Sequence, residues 1–290
     1  MVPTVSAPDG VAVGEPRAAA GSRTPDQPGR RVLRLGVVSY LNAAPLAHGL
    51  DGEEGFELRR EVPSRVAEAL RAGEIDLGTL PSIEYARGDY ALVPGVGITS
   101  RGPVRSVCLF LKKPLPDVRR VALDTSSRTS VALARLLLRA ELGRDPEYVT
   151  MPPSVPEMLR RADAALVIGD TALYYDGEAV RLDLGTWWTD VTGLPFVWAV
   201  WAGRPGVVGP EAVARLQAAQ ESGRLALGAI AAAWAGGDER RAALNEEYLR
   251  TNIVYALGEP EQAGLSEFYR RAVTAGLIEA APELRFHGHP

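Results

Sequence analysis

The sequence predicts an α/β protein built of two units with a ligand cleft between them. Short apolar runs of strand length alternate with helical segments from Arg31 onward, and the alternation restarts near Arg119. Such alternation indicates mostly parallel sheets with helices on both faces. From Pro210 the chain is predicted to be helical almost to its end and to pack back on the first unit. An inserted unit is joined by two chain crossings, which is typical of proteins that close on a small ligand by a hinge.

The expected limits of the units follow from where the alternation starts and restarts. The first unit is predicted to comprise residues 31–112 and 200–290, and the second unit residues 113–199. Residues 1–30 are rich in Ala, Gly, Pro and Ser and contain no long apolar stretch, so they are predicted to be a disordered N-terminal tail.

The elements of the first unit are predicted from their residue patterns. The run 32–38 is mostly apolar, as in a buried strand, and 56–62 alternates between apolar and polar residues. Ser64 suits the N-cap of a helix that Gly73 ends. Further strands are predicted at 75–80, 91–99 and 104–112.

The second unit repeats these patterns. A helix is predicted at 131–142, where apolar residues recur at helical spacing, and shorter helices at 155–161 and 171–175. Short apolar runs bounded by polar turns predict its strands, at 121–124, 148–151, 164–168, 180–184 and 195–201.

The composition is that of an ordinary globular protein and argues against several classes of function. Of the 290 residues, 46% are hydrophobic and 23% are charged, and the formal net charge is -4 without a basic cluster. Neither a nucleic-acid surface nor a membrane surface is therefore expected. No apolar run has the length of a signal-peptide core or a membrane span, which favours a cytoplasmic location over a secreted solute-binding protein.

Residues that could bind metals or cofactors lack a suitable spacing. The histidines are His48, His287 and His289, and no group of His, Cys, Asp and Glu has metal-ligand spacing. There is no phosphate-binding loop and no dinucleotide-binding fingerprint, so no cofactor is predicted. Cys108 is the single cysteine, and its apolar surroundings predict a small buried strand residue.

Small polar residues occur where the predicted strands end, which is where open parallel sheets bind their ligands. The candidate binding residues that share this position are Ser39, Tyr40, Asn42, Pro81, Ser82, Ser106, Ser127, Arg128, Thr129, Ser130, Gly169 and Asp170. Several lie where a helix begins, and there free N–H groups and the helix dipole attract anions. A small anionic ligand is therefore expected.

The turn 126–130 is the sharpest local signal for such a ligand. It combines four hydroxyl groups, free N–H groups and one guanidinium group, which suit a carboxylate. The same turn would also serve as an ordinary N-cap with a surface arginine. Taken singly, Asn42 is better explained as a turn or capping residue and Asp170 as an N-cap, and Ser106 suits an ordinary strand end. None of them is an evident catalytic base, so the pattern alone predicts a small-anion binder, with or without catalysis.

Ordered segments from about Arg34 to Ile278 resemble the chorismate dehydratases of the futalosine route to menaquinone. The segments that carry this resemblance are 36–46, 73–78, 81–84, 100–107, 123–124, 127–130, 168–170, 183–185 with Trp188, 192–197, 248–249, and 252–253 with Tyr255. Each segment is weak evidence alone, whereas their joint order and spacing are specific.

The resemblance implies a two-lobed fold of the type II periplasmic-binding-protein class. It implies an enzyme without metal or organic cofactor that removes water from chorismate to give 3-[(1-carboxyvinyl)oxy]benzoate. Asn42 and Ser106 fall on positions that handle the substrate at the reacting centre, and residues 127–130 on a carboxylate-binding position. Because no protein base is evident, we expect the enolpyruvyl carboxylate of the substrate to take the proton. Asp170 or His48 as the base is the alternative.

Two other functions stay open at the level of the sequence. The 1,4-dihydroxy-6-naphthoate synthase of the same pathway shares the fold but is expected to use a histidine base, and histidine is scarce near the predicted cleft. A non-catalytic protein that binds chorismate or another small diacid would have the same features. In each case the partner is a small molecule, and the chain is expected to be a monomer or a homodimer.

Overall fold

The computed structural model describes residues 32–288, and the predicted tail of residues 1–30 lies outside them. The strands of this part are β1 (Leu33–Val38), β2 (Phe56–Glu61), β3 (Leu77–Pro81), β4 (Ala91–Ser100), β5 (Val107–Leu111), β6 (Arg120–Asp124), β7 (Glu147–Met151), β8 (Ala164–Ile168), β9 (Val180–Asp183), β10 (Phe196–Gly203) and β11 (Val254–Leu257). Its α-helices are α1 (Pro63–Ala72), α2 (Ser82–Tyr85), α3 (Thr129–Leu142), α4 (Val155–Arg161), α5 (Gly169–Leu173), α6 (Leu184–Thr192), α7 (Pro210–Leu225), α8 (Leu227–Ala235), α9 (Glu239–Thr251) and α10 (Glu259–Thr274). Two 3-10 helices, Leu41–Ala47 and Leu115–Asp117, complete the secondary structure of these residues.

The first sheet has six strands in the order β11-β4-β10-β3-β1-β2. β1 pairs in parallel with β2 and β3, whereas β10 is antiparallel to β3 and β4, and β11 is antiparallel to β4. Because β10 lies inside the sheet, all of its residues are buried, which explains its continuous apolar sequence. We call this sheet and the helices packed on it lobe 1.

The second sheet has five strands in the order β7-β6-β8-β5-β9. β6 pairs in parallel with β7 and β8, whereas β5 is antiparallel to β8 and β9. We call this sheet and its helices lobe 2. β5 carries Cys108, which is fully buried as predicted, and burial raises the pKa of its thiol well above the ordinary value.

The sheets differ from the expectation in two respects. Both are mixed rather than mostly parallel, because β5 and β10 run antiparallel to their neighbours, and the helical C-terminal stretch is interrupted by β11. Sheet membership places β5 in lobe 2 and β10 in lobe 1, so the chain crosses between residues 100 and 107 and between 192 and 196. The predicted limits, 31–112 with 200–290 and 113–199, place β5 in the first unit and divide β10 between the two units at residue 199, and they stay a prediction.

Helix α1 shows how local sequence sets the ends of an element. Its N-cap is Val62 rather than the predicted Ser64, because Pro63 occupies the first helical position, where the missing N–H is not needed. Gly73 ends the helix in the left-handed conformation, with φ at 77°, as predicted.

One carboxylate holds the first crossing segment between the lobes. Asp183 accepts hydrogen bonds from the backbone N–H groups of Val104, at 3.0 Å, and Arg105, at 2.5 Å. Arg105 has a φ of 59°, a conformation that a residue other than glycine keeps only where its surroundings impose it. Asn252 adds a bond from Nδ2 to the carbonyl oxygen of Pro103 at 2.9 Å. The segment therefore presents Ser106, at the start of β5, in one orientation.

No helix within residues 32–288 combines the length and the apolar character that a membrane crossing needs.

Candidate active site

A cavity of about 50 Å³ lies between the two lobes, where the carboxyl ends of β1, β3 and β8 meet. Lobe 1 contributes Val38, Tyr40, Asn42, Pro63, Pro81, Ile98, Trp198 and Ala199 to its lining, and lobe 2 contributes Val107, Ser127, Arg128, Thr129, Ser130, Ile168 and Gly169. The structure thus brings together most of the residues that the sequence predicts. The exceptions, which lie behind the lining, are Ser39, Ser82, Ser106 and Asp170.

The start of α3 forms the polar wall of the cavity. Ser127 and Ser130 line it beside the first turn of the helix, whose N–H groups have no partner within the helix. Arg128 also lines the cavity, and its guanidinium group contacts the carboxylate of Glu68, in lobe 1, at 3.1 Å. This wall offers hydrogen-bond donors and a helix dipole, and it suits a carboxylate of the ligand.

A buried carboxylate supports this wall from behind. Asp124 accepts hydrogen bonds from the backbone N–H of Ser126 at 2.8 Å, from its hydroxyl at 2.6 Å, and from the N–H of Ile168 at 3.2 Å. Ser126 in turn accepts a hydrogen bond of 2.9 Å from the hydroxyl of Tyr40 in lobe 1. Burial raises the pKa of Asp124, although the bonds from Ser126 and Ile168 oppose that rise.

Tyr40 in lobe 1 and Gly169 in lobe 2 lie in close contact where the two lobes meet. Gly169 has a φ of 64°, and a Cβ atom placed there would lie 2.8 Å from carbon atoms of the Tyr40 ring. Both the backbone conformation and the close approach therefore require glycine at this position. Burial raises the pKa of Tyr40 to about 12, so its hydroxyl group stays protonated at any physiological pH.

Asp170 ties the two lobes together just outside the cavity. Its carboxylate accepts a hydrogen bond from the backbone N–H of Leu41 at 3.1 Å and from Nε1 of Trp234 at 2.8 Å. Both donors belong to lobe 1, whereas Asp170 begins α5 in lobe 2. Burial raises the pKa of Asp170, and the two hydrogen bonds oppose the rise. Asp170 is thus a contact between the lobes and lies behind the lining, next to Gly169.

Asn42 presents a buried polar atom that the described residues leave unsatisfied. Its Oδ1 atom has no hydrogen-bond partner, although the side chain lines the cavity. An unpaired buried carbonyl oxygen costs free energy, typically about 1–3 kcal/mol, so an unpaired one beside a cavity indicates a ligand atom that completes it. The natural complement of this oxygen is a hydroxyl or N–H group.

Ser106 lies directly behind the cavity wall and is 1% exposed. Its Oγ atom accepts a hydrogen bond of 2.7 Å from the hydroxyl of Tyr248 on α9. The carbonyl of Ser106 also accepts a bond of 2.8 Å from the N–H of Gly169. The residue is therefore fixed at the junction between the crossing segment, lobe 2 and the C-terminal helices.

The remaining predicted residues have supporting positions. Ser82 donates from Oγ to the carbonyl of Val197 at 2.7 Å, and the N–H of Ile83 donates to Oγ1 of Thr129 at 3.2 Å. Pro81 ends β3 in the lining, and the N–H of Ser39 donates to the carbonyl of Glu61 at 2.9 Å. The bond from Ile83 to Thr129 holds the segment that follows β3 against the start of α3.

Several contributors are absent from the predicted site residues. They are Asp124, Ser126, Trp198, Trp234 and Tyr248. Ser126 belongs to the predicted polar turn and Tyr248 to a segment that carries the family resemblance, but only the fold shows what they contact. His48 lies outside the lining, where its Nδ1 atom is 3.1 Å from Oγ of Ser222.

The lobes are closed on one another in this structure. Sites for small organic ligands typically have volumes of about 300–1,000 Å³. The cavity measures only about 50 Å³. Access of a larger ligand therefore requires the lobes to move apart, and the contacts that break include those through Tyr40, Asp170 and Arg128.

The fold resembles that of binding proteins. A protein of Archaeoglobus fulgidus superposes with a TM-score of 0.66 at 17% identity, covering 87% of this chain and 100% of that one. The periplasmic aliphatic sulphonate binding protein of Escherichia coli superposes with a TM-score of 0.58 at 18% identity, covering 89% and 94%. These structures establish the two-lobed periplasmic-binding-protein-like fold that the resemblance implied.

Sequence comparison identifies the family to which the chain belongs. A family model described as menaquinone biosynthesis matches residues 33–274. A chorismate dehydratase of Thermus thermophilus is 36% identical over 257 residues, which cover 81% of this chain and 93% of that protein. A chorismate dehydratase of Campylobacter jejuni is 31% identical over 162 residues, which cover 55% and 58%. The family model and the Thermus thermophilus relative both match most of the chain, and the fold with its cavity agrees with them. The chain belongs to the menaquinone biosynthesis family.

Proposed function

We propose that the protein is a chorismate dehydratase, a hydro-lyase that removes water from chorismate to give 3-[(1-carboxyvinyl)oxy]benzoate for menaquinone biosynthesis. The relatives from Thermus thermophilus and Campylobacter jejuni carry this name. Chorismate has two carboxylates, a ring hydroxyl group and an enolpyruvyl ether. The cytoplasmic location of the protein stays a prediction from the sequence.

The observation that carries the proposal is the chemistry of the cavity lining. The lining joins the start of α3, which suits a carboxylate, to the unpaired Oδ1 atom of Asn42, which suits a hydroxyl group. Its apolar remainder, which includes Ile98 and Trp198, suits a six-membered carbon ring. A hydroxylated ring that carries carboxylates matches all three parts.

The reaction needs a proton and a hydroxyl group to leave neighbouring ring carbons. The C–H bond at the ether-bearing carbon breaks, and its electrons move into the ring system toward the ring carboxylate. The C–O bond of the neighbouring hydroxyl group then breaks, the ring becomes aromatic, and the departing oxygen takes the proton and leaves as water. The donors at the start of α3 stabilise charge that spreads into the ring carboxylate.

The lining supplies no ordinary base for the first step. Its titratable residues are Tyr40, which burial keeps protonated, and Arg128. We therefore propose that the enolpyruvyl carboxylate of the substrate accepts the proton and later returns it to the departing hydroxyl group. The protein holds the dianion in a reactive geometry and excludes water, which are large contributions to catalysis in themselves.

Within this proposal Asn42 and Ser106 are the residues at the reacting centre. Asn42 orients the ring hydroxyl group through Oδ1, and Ser106 acts from behind the wall through its hydroxyl group. Ser127, Arg128, Thr129 and Ser130 bind a carboxylate, and Tyr40, Pro81 and Gly169 close the cavity. Ser39, Ser82 and Asp170 support these residues from behind the lining.

The deciding experiment incubates the purified protein with chorismate, without added metal or nucleotide, and follows the products by chromatography and mass. A stoichiometric loss of water above the spontaneous background supports the proposal. Binding of chorismate without turnover would contradict it and favour a small-diacid binder. Failure to bind chorismate would also contradict it and would make the larger substrate of the 1,4-dihydroxy-6-naphthoate synthase the next compound to test.

Asn42→Ala and Ser106→Ala test the site. Removing one preorganised hydrogen-bonding group from a reacting centre typically lowers kcat about 10²–10³-fold, and we expect such a loss for each variant. Ser266→Ala is the control, because Ser266 is exposed on α10 and bonds only to the carbonyl of Gln262. If either site variant keeps the wild-type kcat, that residue does not act at the reacting centre.

A further inference from the structure

Tyr248 lies on α9 immediately behind the cavity, and its side chain is 1% exposed. Its hydroxyl group is 2.7 Å from Oγ of Ser106. A phenol is a much stronger acid than an aliphatic hydroxyl group, so the phenol donates in this bond and the serine accepts. Because the Ser106 oxygen is occupied in this way, its own proton is available to another acceptor.

The same phenol interacts with Asn42. Burial raises the pKa of Tyr248, and hydrogen bonds with Ser106 and with the side chain of Asn42 oppose that rise. Oδ1 of Asn42 makes no hydrogen bond to the described residues, so the contact with the phenol is made by the amide nitrogen. Tyr248 therefore donates its O–H to Ser106 and faces the amide nitrogen of Asn42.

From this arrangement we propose that Tyr248 is a positioning residue that sets the hydrogen-bonding polarity of the site. It turns the Asn42 amide so that Oδ1 faces the cavity as an acceptor, and it makes Ser106 a donor. The leaving hydroxyl group of the substrate then finds an acceptor for its proton and a donor for its oxygen. This inference rests on the proposed dehydration of chorismate.

The polarity matters because a hydroxyl group leaves more easily when a donor stabilises its developing negative charge. With the reverse polarity, Asn42 would present its NH₂ group and Ser106 its lone pairs. A second buried phenol provides a contrast. Tyr255 is 6% exposed, and its hydroxyl group has no partner in the described part of the chain.

The test compares Tyr248→Phe with Tyr255→Phe as a matched control. Both variants remove one buried hydroxyl group and keep the ring. We expect Tyr248→Phe to lower kcat at least tenfold with less than a threefold change in KM, and Tyr255→Phe to keep wild-type kinetics. Wild-type kcat in Tyr248→Phe, or an equal loss in both variants, would overturn the proposal.

A double substitution separates positioning from general stabilisation. If Tyr248 acts through Ser106 and Asn42, then Tyr248→Phe in a Ser106→Ala background costs less than a further threefold in kcat. If the double variant instead loses kcat by the product of the two single losses, Tyr248 acts independently of Ser106. That result would overturn the proposal. The wild-type assay with chorismate is run first. If the wild-type protein does not turn over chorismate, the proposed function is wrong, whereas the hydrogen-bond network can still be tested by itself.

A spectroscopic readout tests the network without any turnover. The side-chain amide of Asn42, assigned by NMR with Asn42→Asp, should exchange its protons at least tenfold faster in Tyr248→Phe than in the wild type. Ser106→Ala is the second variant, for use if Tyr248→Phe does not fold. It removes the acceptor of the phenol, and we expect it to speed the exchange of the Asn42 amide protons as well. Unchanged exchange in the variant that folds would overturn the proposed orientation of Asn42.

Discussion

At the scale of single residues, the closed cavity depends on a glycine and a tyrosine from opposite lobes. Gly169 combines a φ of 64° with a distance of only 2.8 Å between the position that a Cβ atom would occupy and the Tyr40 ring. The same ring ends in a hydroxyl group that donates to Ser126. A side chain at position 169 would therefore push Tyr40 away from lobe 2 and keep the cavity open.

Gly169→Ala tests this contact. An alanine in the left-handed conformation costs about 1–2 kcal/mol, and the clash with Tyr40 adds to that cost. We expect kcat/KM for chorismate to fall at least tenfold. Gly143→Ala is the matched control, because Gly143 has a φ of 63° with nothing within 4 Å of a Cβ atom. Equal kinetics of the two variants, measured beside their urea unfolding curves, would refute a role for this contact in closure.

The pH dependence of the rate is a second prediction at this scale. The pKa of Tyr40 is raised to about 12, so the phenol is protonated and neutral below that pH. Because this phenol does not titrate near neutrality, and the lining contains no carboxylate or histidine side chain, we expect kcat to be flat between about pH 6 and 9. A limb with an apparent pKa near 7 would indicate a protein base such as a histidine, and would contradict proton removal by the substrate carboxylate.

At the scale of elements, α5 and α8 are joined to the 3-10 helix Leu41–Ala47 by one carboxylate. Asp170 accepts from Leu41 and from Trp234, and its raised pKa shows that burial outweighs these bonds. Ionised Asp170 is disfavoured in the closed form, so its contribution to stability is fully present below its ordinary pKa and is lost as the pH rises through the raised value.

Trp234→Phe removes one donor from this carboxylate and keeps an aromatic ring. Hydrogen bonds to charged groups typically contribute about 1.5–3 kcal/mol, so we expect a weaker closed form and a KM about tenfold higher. Trp187→Phe is the control, because Trp187 is half-buried on α6 away from the cavity. An unchanged KM in Trp234→Phe would show that this bond does not contribute to closure.

At the scale of the whole molecule, the structure represents a closed form. Its cavity of about 50 Å³ is far smaller than the usual sites of small organic ligands, and the lobes are joined at residues 100–107 and 192–196. Both joining segments contain glycines with positive φ, Gly102 at 91° and Gly193 at 71°. Opening by rotation about these two segments would admit a ring with two carboxylates.

Solution scattering and hydrogen exchange test this opening together. We expect the reaction product, 3-[(1-carboxyvinyl)oxy]benzoate, to reduce the radius of gyration and to slow backbone exchange at the start of α3 and in residues 100–107. The product is used because it binds the site without being consumed. An unchanged radius together with unchanged exchange, at a product concentration that saturates binding, would contradict ligand access by lobe motion.

The sequence by itself determined the alternation of strands and helices, the buried strand with Cys108, the end of α1 at Gly73, and the hydroxyl, amide and guanidinium side chains that the structure places in the cavity lining. These features depend on local periodicity, on turn chemistry, and on the rule that ligands bind at the ends of strands. Only the tertiary structure decided the mixed direction of the sheets, the lobe to which β5 and β10 belong, and the roles of Asp170, Trp234 and Tyr248. Their hydrogen bonds join residues that are 64 to 142 positions apart, as in Trp234 with Asp170 and Tyr248 with Ser106. No local pattern records such pairs, because they form only when separate elements pack together.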